Sequence, residues 1–173
     1  YATSYIPTYG TSVTRNQDSV INNSASSLIG QTEGTILFDW NYLSNDGSYD
    51  FRFNLSDGAG TTEWMFVGMT NTDARAYVTS GGSIQFDSDD EYAITIGSRY
   101  KMALAYANND FAFYINGTQV ATSSSGSVPT GMDYIMMSNQ PNVSGSVVKG
   151  SVNQLALFNE RLSNAELATL TTL

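Results

Sequence analysis

Five consecutive residues, Asp87-Ser88-Asp89-Asp90-Glu91, form the densest set of carboxylates in the chain. Carboxylates at alternate positions resemble the oxygen-rich ligand sets that hold Ca2+, which makes Asp87, Asp89 and Asp90 candidate metal ligands. The run lacks the glycine and the bidentate glutamate spacing of an EF-hand loop, and a solvated hairpin tip is the competing reading. Asn45-Asp46-Gly47 with Asp50, and Asp57-Gly58, are further acidic positions, although turns favour Asp and Gly for backbone reasons alone. The chain contains no His and no Cys. Their absence removes Ser-His-Asp triads, thiol nucleophiles, imidazole or thiolate zinc sites and disulfides together. Carboxylates, Tyr and Lys remain for catalysis, and an oxygen-held cation, above all Ca2+, is the metal that fits.

Glycoside hydrolysis needs two carboxylates about 5–9 Å apart, one of them with a raised pKa. Residues two apart on a strand share a face at roughly 6.5 Å, so a strand reading Glu-x-Asp-x-x-Glu would supply the pair. No such strand occurs: Glu33 lies six residues from Asp39, and Glu63 has no carboxylate within five positions. Binding fits the residues better than cutting. A sugar ring offers a weakly polar CH face to an aromatic side chain, and its hydroxyls need donors and acceptors nearby. Arg52, Arg75, Tyr77, Lys101 and Tyr114 all fall opposite the apolar register of their strands, and together they are expected to line the outer face of one sheet. Ala103, Ala105 and Ala112 on that same side are small, leaving room for a ligand or a neighbouring subunit. Tyr77 and Tyr114 are also ordinary strand residues for a solvated face. Trp40 and Trp64 are assigned to the core.

The elements that must position these residues are strands. Met102, Leu104 and Tyr106 alternate with Lys101, Ala103 and Ala105, a period of two that recurs in Phe111, Phe113 and Ile115. Asn116-Gly117 closes a two-residue hairpin, because both residues tolerate the positive φ it demands. Further strands are expected at 35–43, 49–55 (Tyr49, Phe51, Phe53 and Leu55 inward), 63–69, 74–79, 83–86, 92–96, 134–137 and 143–158, with short ones near Val13 and at Ser27-Leu28-Ile29. Short strands with turns every 8–12 residues or so predict an all-β, two-sheet antiparallel jelly-roll sandwich. Residues 1–32 read as an arm packed on the domain, and 33–173 as the sandwich. One helix is specified near 164–170: Ser163 and Glu166 make a capping box, and Leu162 and Leu167 stand at the positions of a hydrophobic staple.

Seven basic against sixteen acidic residues give a net charge of −9, which excludes nucleic acid and anionic membrane surfaces as natural partners. No run of about 18 apolar residues is present to span a bilayer. Only 13% of residues are charged, about half the usual share, so the surface is built from Ser, Thr, Asn and Gly, as suits an extracellular β-protein.

Several segments, taken in order, carry a family resemblance: residues 2–8 (ATSYIPT), 13–15 (VTR), 75–78 (RAYV), 98–106 (SRYKMALAY), 109–120 (NDFAFYINGTQV), 126–133 (GSVPTGMD) and 162–167 (LSNAEL). Over nearly the whole chain they resemble phage-encoded concanavalin-like, LamG-type jelly-roll domains of tail fibres, tailspikes and other virion surface proteins. The resemblance implies a concanavalin-like sandwich acting as a non-catalytic adhesion module that recognises a host-surface polysaccharide or glycan. It implies a virion location, other virion subunits as partners, and trimers where fibres are formed. It also keeps Ca2+ open by analogy, since such folds often hold calcium at a rim. The alternatives are a structural trimerisation or decoration domain and a polysaccharide-degrading enzyme. The chain starts at Tyr1 rather than Met, and a preceding module is expected. One departure is Val147-Val148-Lys149-Gly150-Ser151-Val152, where many relatives carry a Gly-His-Ile-type turn; no role is inferred from either version.

Overall fold

The computed structural model describes residues 7, 9–12, 20–44, 50–70, 72–89, 92–138 and 149–173. The strands in chain order are β1 (Val20–Asn22), β2 (Glu33–Ser44), β3 (Asp50–Ser56), β4 (Trp64–Thr70), β5 (Asp73–Ser80), β6 (Ser83–Asp87), β7 (Tyr92–Ala93), β8 (Arg99–Ala107), β9 (Asp110–Ile115), β10 (Thr118–Ser123), β11 (Tyr134–Ser138) and β12 (Lys149–Phe158), followed by the helix α1 (Asn164–Thr171). Two antiparallel sheets form. One runs β1-β11-β3-β4-β5-β6, with β7 also paired to β5; the other runs β10-β9-β8-β2-β12. The predicted two-sheet jelly roll with one C-terminal helix is what the chain adopts.

Alternation sets the core. Ile36, Phe38 and Trp40 of β2 face Phe53 and Leu55 of β3 and Met65, Val67 and Met69 of β4, all of them buried. Trp40 and Phe51 rings meet at 5.1 Å, and Phe38 and Phe53 at 6.4 Å. The β8–β10 meander folds as expected. Asn116 and Gly117 take φ of 48° and 83°, the paired positive values of a two-residue hairpin turn, between Ile115 and its partner Thr118.

Other expectations are corrected. Ser27-Leu28-Ile29 belongs to a turn rather than a strand, because the Leu28 amide donates back to the Ala25 carbonyl at 2.8 Å instead of to a neighbouring strand. The strand of this region is β1, paired to β11. The strand expected at 92–96 shrinks to β7. Val13, Tyr49 and residues 143–148 lie outside the described residues.

The helix carries the expected capping box. Ser163 Oγ accepts from the Glu166 amide, and Glu166 Oε2 accepts from the Ser163 amide at 2.8 Å. Donation from the Ser163 hydroxyl to Glu166 Oε2 at 2.7 Å, and then from the Ser163 amide, holds the Glu166 carboxyl below its ordinary pKa. Leu167 is fully buried against Leu37, Ala103, Ala105, Ala112 and Tyr114, so α1 lies on the outer face of the five-stranded sheet. The alanines there are small because the chain's own helix occupies the space above them.

Candidate functional site

On the outer face of the seven-stranded sheet, cross-strand register builds two rows that matter. Arg52 of β3 lies opposite Gly68 of β4, and Gly68 opposite Arg75 of β5. In the next row Asn54, Phe66, Tyr77 and Asp87 follow one another across β3, β4, β5 and β6. Trp64 stands two residues from Phe66 on the same face, so Trp64, Phe66 and Tyr77 form a three-ring cluster with centroids 5.0 to 5.6 Å apart. Spacings of this order are those at which ring quadrupoles attract.

Arginines border the rings. The Arg52 guanidinium carbon lies 4.4 Å from the Phe66 centroid and 5.9 Å from that of Trp64, and Arg75 lies 5.2 Å from the Tyr77 centroid, all within cation–π range. Arg52 Nε and Nη2 donate to Thr70 Oγ1 at 3.2 and 3.0 Å. Trp64 Nε1 donates to Asn54 Oδ1 at 2.9 Å. Arg75 forms a two-pronged pair with Asp87: Nε to Oδ1 at 2.9 Å and Nη2 to Oδ2 at 2.6 Å. Trp64, Phe66 and Arg52 are buried, forming the floor. Tyr77 and the Arg75–Asp87 pair are half-buried and form the margin that solvent reaches. Burial first, and then the Asp87 charge, push the Tyr77 hydroxyl pKa up against the opposing pull of Arg75, so the phenol stays a neutral donor.

Gly68 is required by this layout. A Cβ there would sit 2.2 Å from the Phe51 carbonyl oxygen, far inside contact distance, so a glycine lets β4 approach β3 and leaves no side chain between the two arginines.

Three of the five sequence-predicted binding residues, Arg52, Arg75 and Tyr77, therefore share one face. Lys101 and Tyr114 do not. They belong to β8 and β9 of the other sheet, so the expectation of a single shared face is corrected. Tyr114 is buried against α1 and donates to Gln119 Oε1 at 2.8 Å. Lys101 Nζ donates to the Thr172 carbonyl at 3.1 Å. The sequence reading also placed Trp64 inward. It is buried, but on the outer face, because β4 (WMFVGMT) is buried along its whole length and a strand covered on both sides loses its alternation. That unbroken apolar run was the signal available for Trp64 and Phe66. No pattern marked Asn54 as a partner of Trp64.

Two of the acidic candidates, Asp87 and Asp57, are engaged internally. Asp87 is held by Arg75, and its Oδ1 also accepts the Asp89 amide at 3.1 Å. Asp90 lies outside the described residues, as do Asp46 and its neighbours. Asp57 Oδ1 caps a turn by accepting the Ala59 amide at 2.8 Å. Among the described residues no group of three or more acidic side chains is placed to hold a metal ion.

The two carboxylates considered for catalysis are structural as well. Burial raises the Asp39 carboxyl, but donation from Arg99 and Asn153 and the charges of Arg99 and Lys101 outweigh it and leave the pKa below the ordinary value. Burial likewise raises Glu63, and the amides of Gly81 and Thr130 with the Ser80 hydroxyl bring it below. A general acid needs the opposite shift. A cleft of about 180 Å³ between the sheets, lined by Ala74, Ser88, Tyr92, Phe113 and Val120, is smaller than the roughly 300 Å³ at which ligand pockets begin.

Comparison with known proteins agrees with this architecture. A family model described as the concanavalin A-like lectin/glucanases superfamily matches residues 15–168. No curated protein matches in sequence. Among solved structures, the CBM40 of the Ruminococcus gnavus IT-sialidase, bound to α2,3-sialyllactose, superposes with a TM-score of 0.68 at 18% identity, covering 86% of this chain and 87% of that one. Domain 4 of AbnA, a GH43 extracellular arabinanase from Geobacillus stearothermophilus in complex with arabinotriose, gives 0.66 at 16% identity over 84% and 69%. The carbohydrate-binding module CBM66 from Bacillus subtilis gives 0.52 at 12% identity over 73% and 75%. At these identities the likeness is one of fold.

Proposed function

The chain belongs to the concanavalin A-like lectin/glucanase superfamily, and from that premise we propose that it is a non-catalytic carbohydrate-binding module. The observation that carries the reading is the cluster on the seven-stranded sheet. Aromatic rings stand on an outward face, where a core would not need them, and an arginine–aspartate pair at their margin can bond to hydroxyls. The similarity of fold to modules solved with sialyllactose and arabinotriose supports the same class of ligand. The resemblance of segments such as residues 2–8 and 109–120 to virion surface domains supports the finer statement. In it the module belongs to a phage tail fibre or similar particle protein, displayed outside the cell in trimers beside other virion subunits, and it contacts host-surface glycans.

The test is a glycan array with titration calorimetry on the hits, including sialyllactose and arabino-oligosaccharides, run with and without Ca2+. Tyr77→Ala is expected to weaken binding at least about tenfold; because the ring packs on Trp64 and Phe66 it should also lower the unfolding midpoint, so binding is titrated on the folded protein. Absence of binding to any glycan overturns the reading.

A further inference from the structure

The site's charges are already matched, and this narrows the ligand. We propose, on the basis of the carbohydrate-binding reading, that the site takes a neutral sugar and that Asp87 disfavours carboxylated ones. Two arginines beside an aromatic cluster resemble a seat for an anionic glycan, but their partners argue otherwise. The solvent-reached arginine, Arg75, spends Nε and Nη2 on both oxygens of Asp87, the two-pronged geometry in which guanidinium and carboxylate neutralise each other most fully. Arg52 is buried, faces the Phe66 ring and donates twice to Thr70. It serves the floor, below the surface a ligand touches.

Acidic groups continue around the margin. Asp73 precedes Arg75 and Tyr77 along the same face of β5, and Asp89 comes two residues after Asp87. The whole chain, these residues included, has a net charge of −9. A sugar carboxylate approaching Tyr77 would find the nearest guanidinium already bonded to both oxygens of Asp87, and would gain no counter-charge from it. A hydroxyl pair meets no such penalty. Each hydroxyl both donates and accepts, so adjacent hydroxyls fit a site that sets an aspartate acceptor beside an arginine donor, with Tyr77 supplying apolar surface for the ring.

Matched pairs of glycans on one array, each in neutral and carboxylated form, test this: lactose with 3′-sialyllactose, galactan with polygalacturonan, glucan with glucuronan. The neutral member is expected to bind at least about tenfold more tightly, and the gap is expected to narrow as salt is raised, since screening weakens repulsion between exposed charges. Asp87→Asn breaks that ion pair without changing shape, so the Arg75 guanidinium can answer a sugar carboxylate, and should shrink the gap in low salt. Equal or tighter binding of the carboxylated members overturns the inference and leaves the carbohydrate-binding reading standing. So does a preference that neither salt nor Asp87→Asn alters, which would be steric. Binding to no member of any pair overturns both.

Discussion

The sandwich has two outer faces, and they are finished in opposite ways. On the five-stranded sheet the outward residues Ala103, Ala105 and Ala112 are small, and α1 is laid over them through Leu167. On the seven-stranded sheet the outward residues are among the largest available, Trp64, Phe66, Tyr77, Arg52 and Arg75, and they pack on one another. In the first case the fold spends its own helix to keep apolar surface from water. In the second, rings and guanidiniums make a lateral mosaic whose margin stays reachable. The face with the small residues, where Leu37 and Tyr114 also lie, is covered by the helix, whereas the large side chains of the other face cover one another.

The comparison can be broken most forcefully at Leu167. Replacing it with Ala removes a fully buried side chain and should cost about 2–4 kcal/mol in chemical denaturation, with glycan affinity of the folded protein unchanged. A matching loss of affinity would show that the faces are coupled. Gly68→Ala attacks the other face. Its Cβ collides with the Phe51 carbonyl, so about 1–3 kcal/mol of stability should go, and ligand titration of the folded fraction should show weaker binding because Arg52 and Arg75 are pushed apart. Ser163→Ala removes the helix cap and should cost about 1 kcal/mol, read as a lower thermal midpoint with binding intact.

Acid gives the smallest effect. Asp39 and Glu63 have pKa values below their unfolded ones, so what they contribute is fully present above the ordinary carboxylate pKa of about 4 and fades as pH falls through the lower folded values. A pH series of denaturation curves should be flat from neutral to about pH 5 and decline below pH 4. Asp39→Asn should flatten part of that decline.

Much of the fold was legible because its signals are local. The alternation in β8 and β9, the Asn116-Gly117 turn and the Ser163–Glu166 box each depend on residues a few positions apart. The site was legible only in part. Arg52, Arg75 and Tyr77 were identified as outward-facing from their own strands, but which sheet a strand joins depends on pairings between distant segments. Lys101 and Tyr114 were accordingly grouped with residues that lie on the opposite sheet. Trp64 was misplaced for a related reason, since apolar residues on both faces of β4 look the same whether the far side is core or mosaic. The acidic run at 87–91 read as a candidate Ca2+ loop or a solvated tip because the partner of Asp87, Arg75, is brought to it by the β5–β6 pairing.

The hairpin turn and the helix end meet in one place. Gly117 N–H donates to Thr171 Oγ1 at 3.0 Å, and Asn116 Oδ1 accepts the Lys101 amide at 2.9 Å. Asparagine followed by glycine is the dipeptide most open to spontaneous deamidation, because no side chain on the glycine hinders its nitrogen from closing onto the asparagine carbonyl carbon and expelling ammonia. Here the attacking nitrogen and the carbonyl under attack are each tied to a different element. The last turn of the helix thereby sets the chemical lifetime of the meander, and a preparation whose helix frays should age at Asn116 first, gaining one negative charge at the turn.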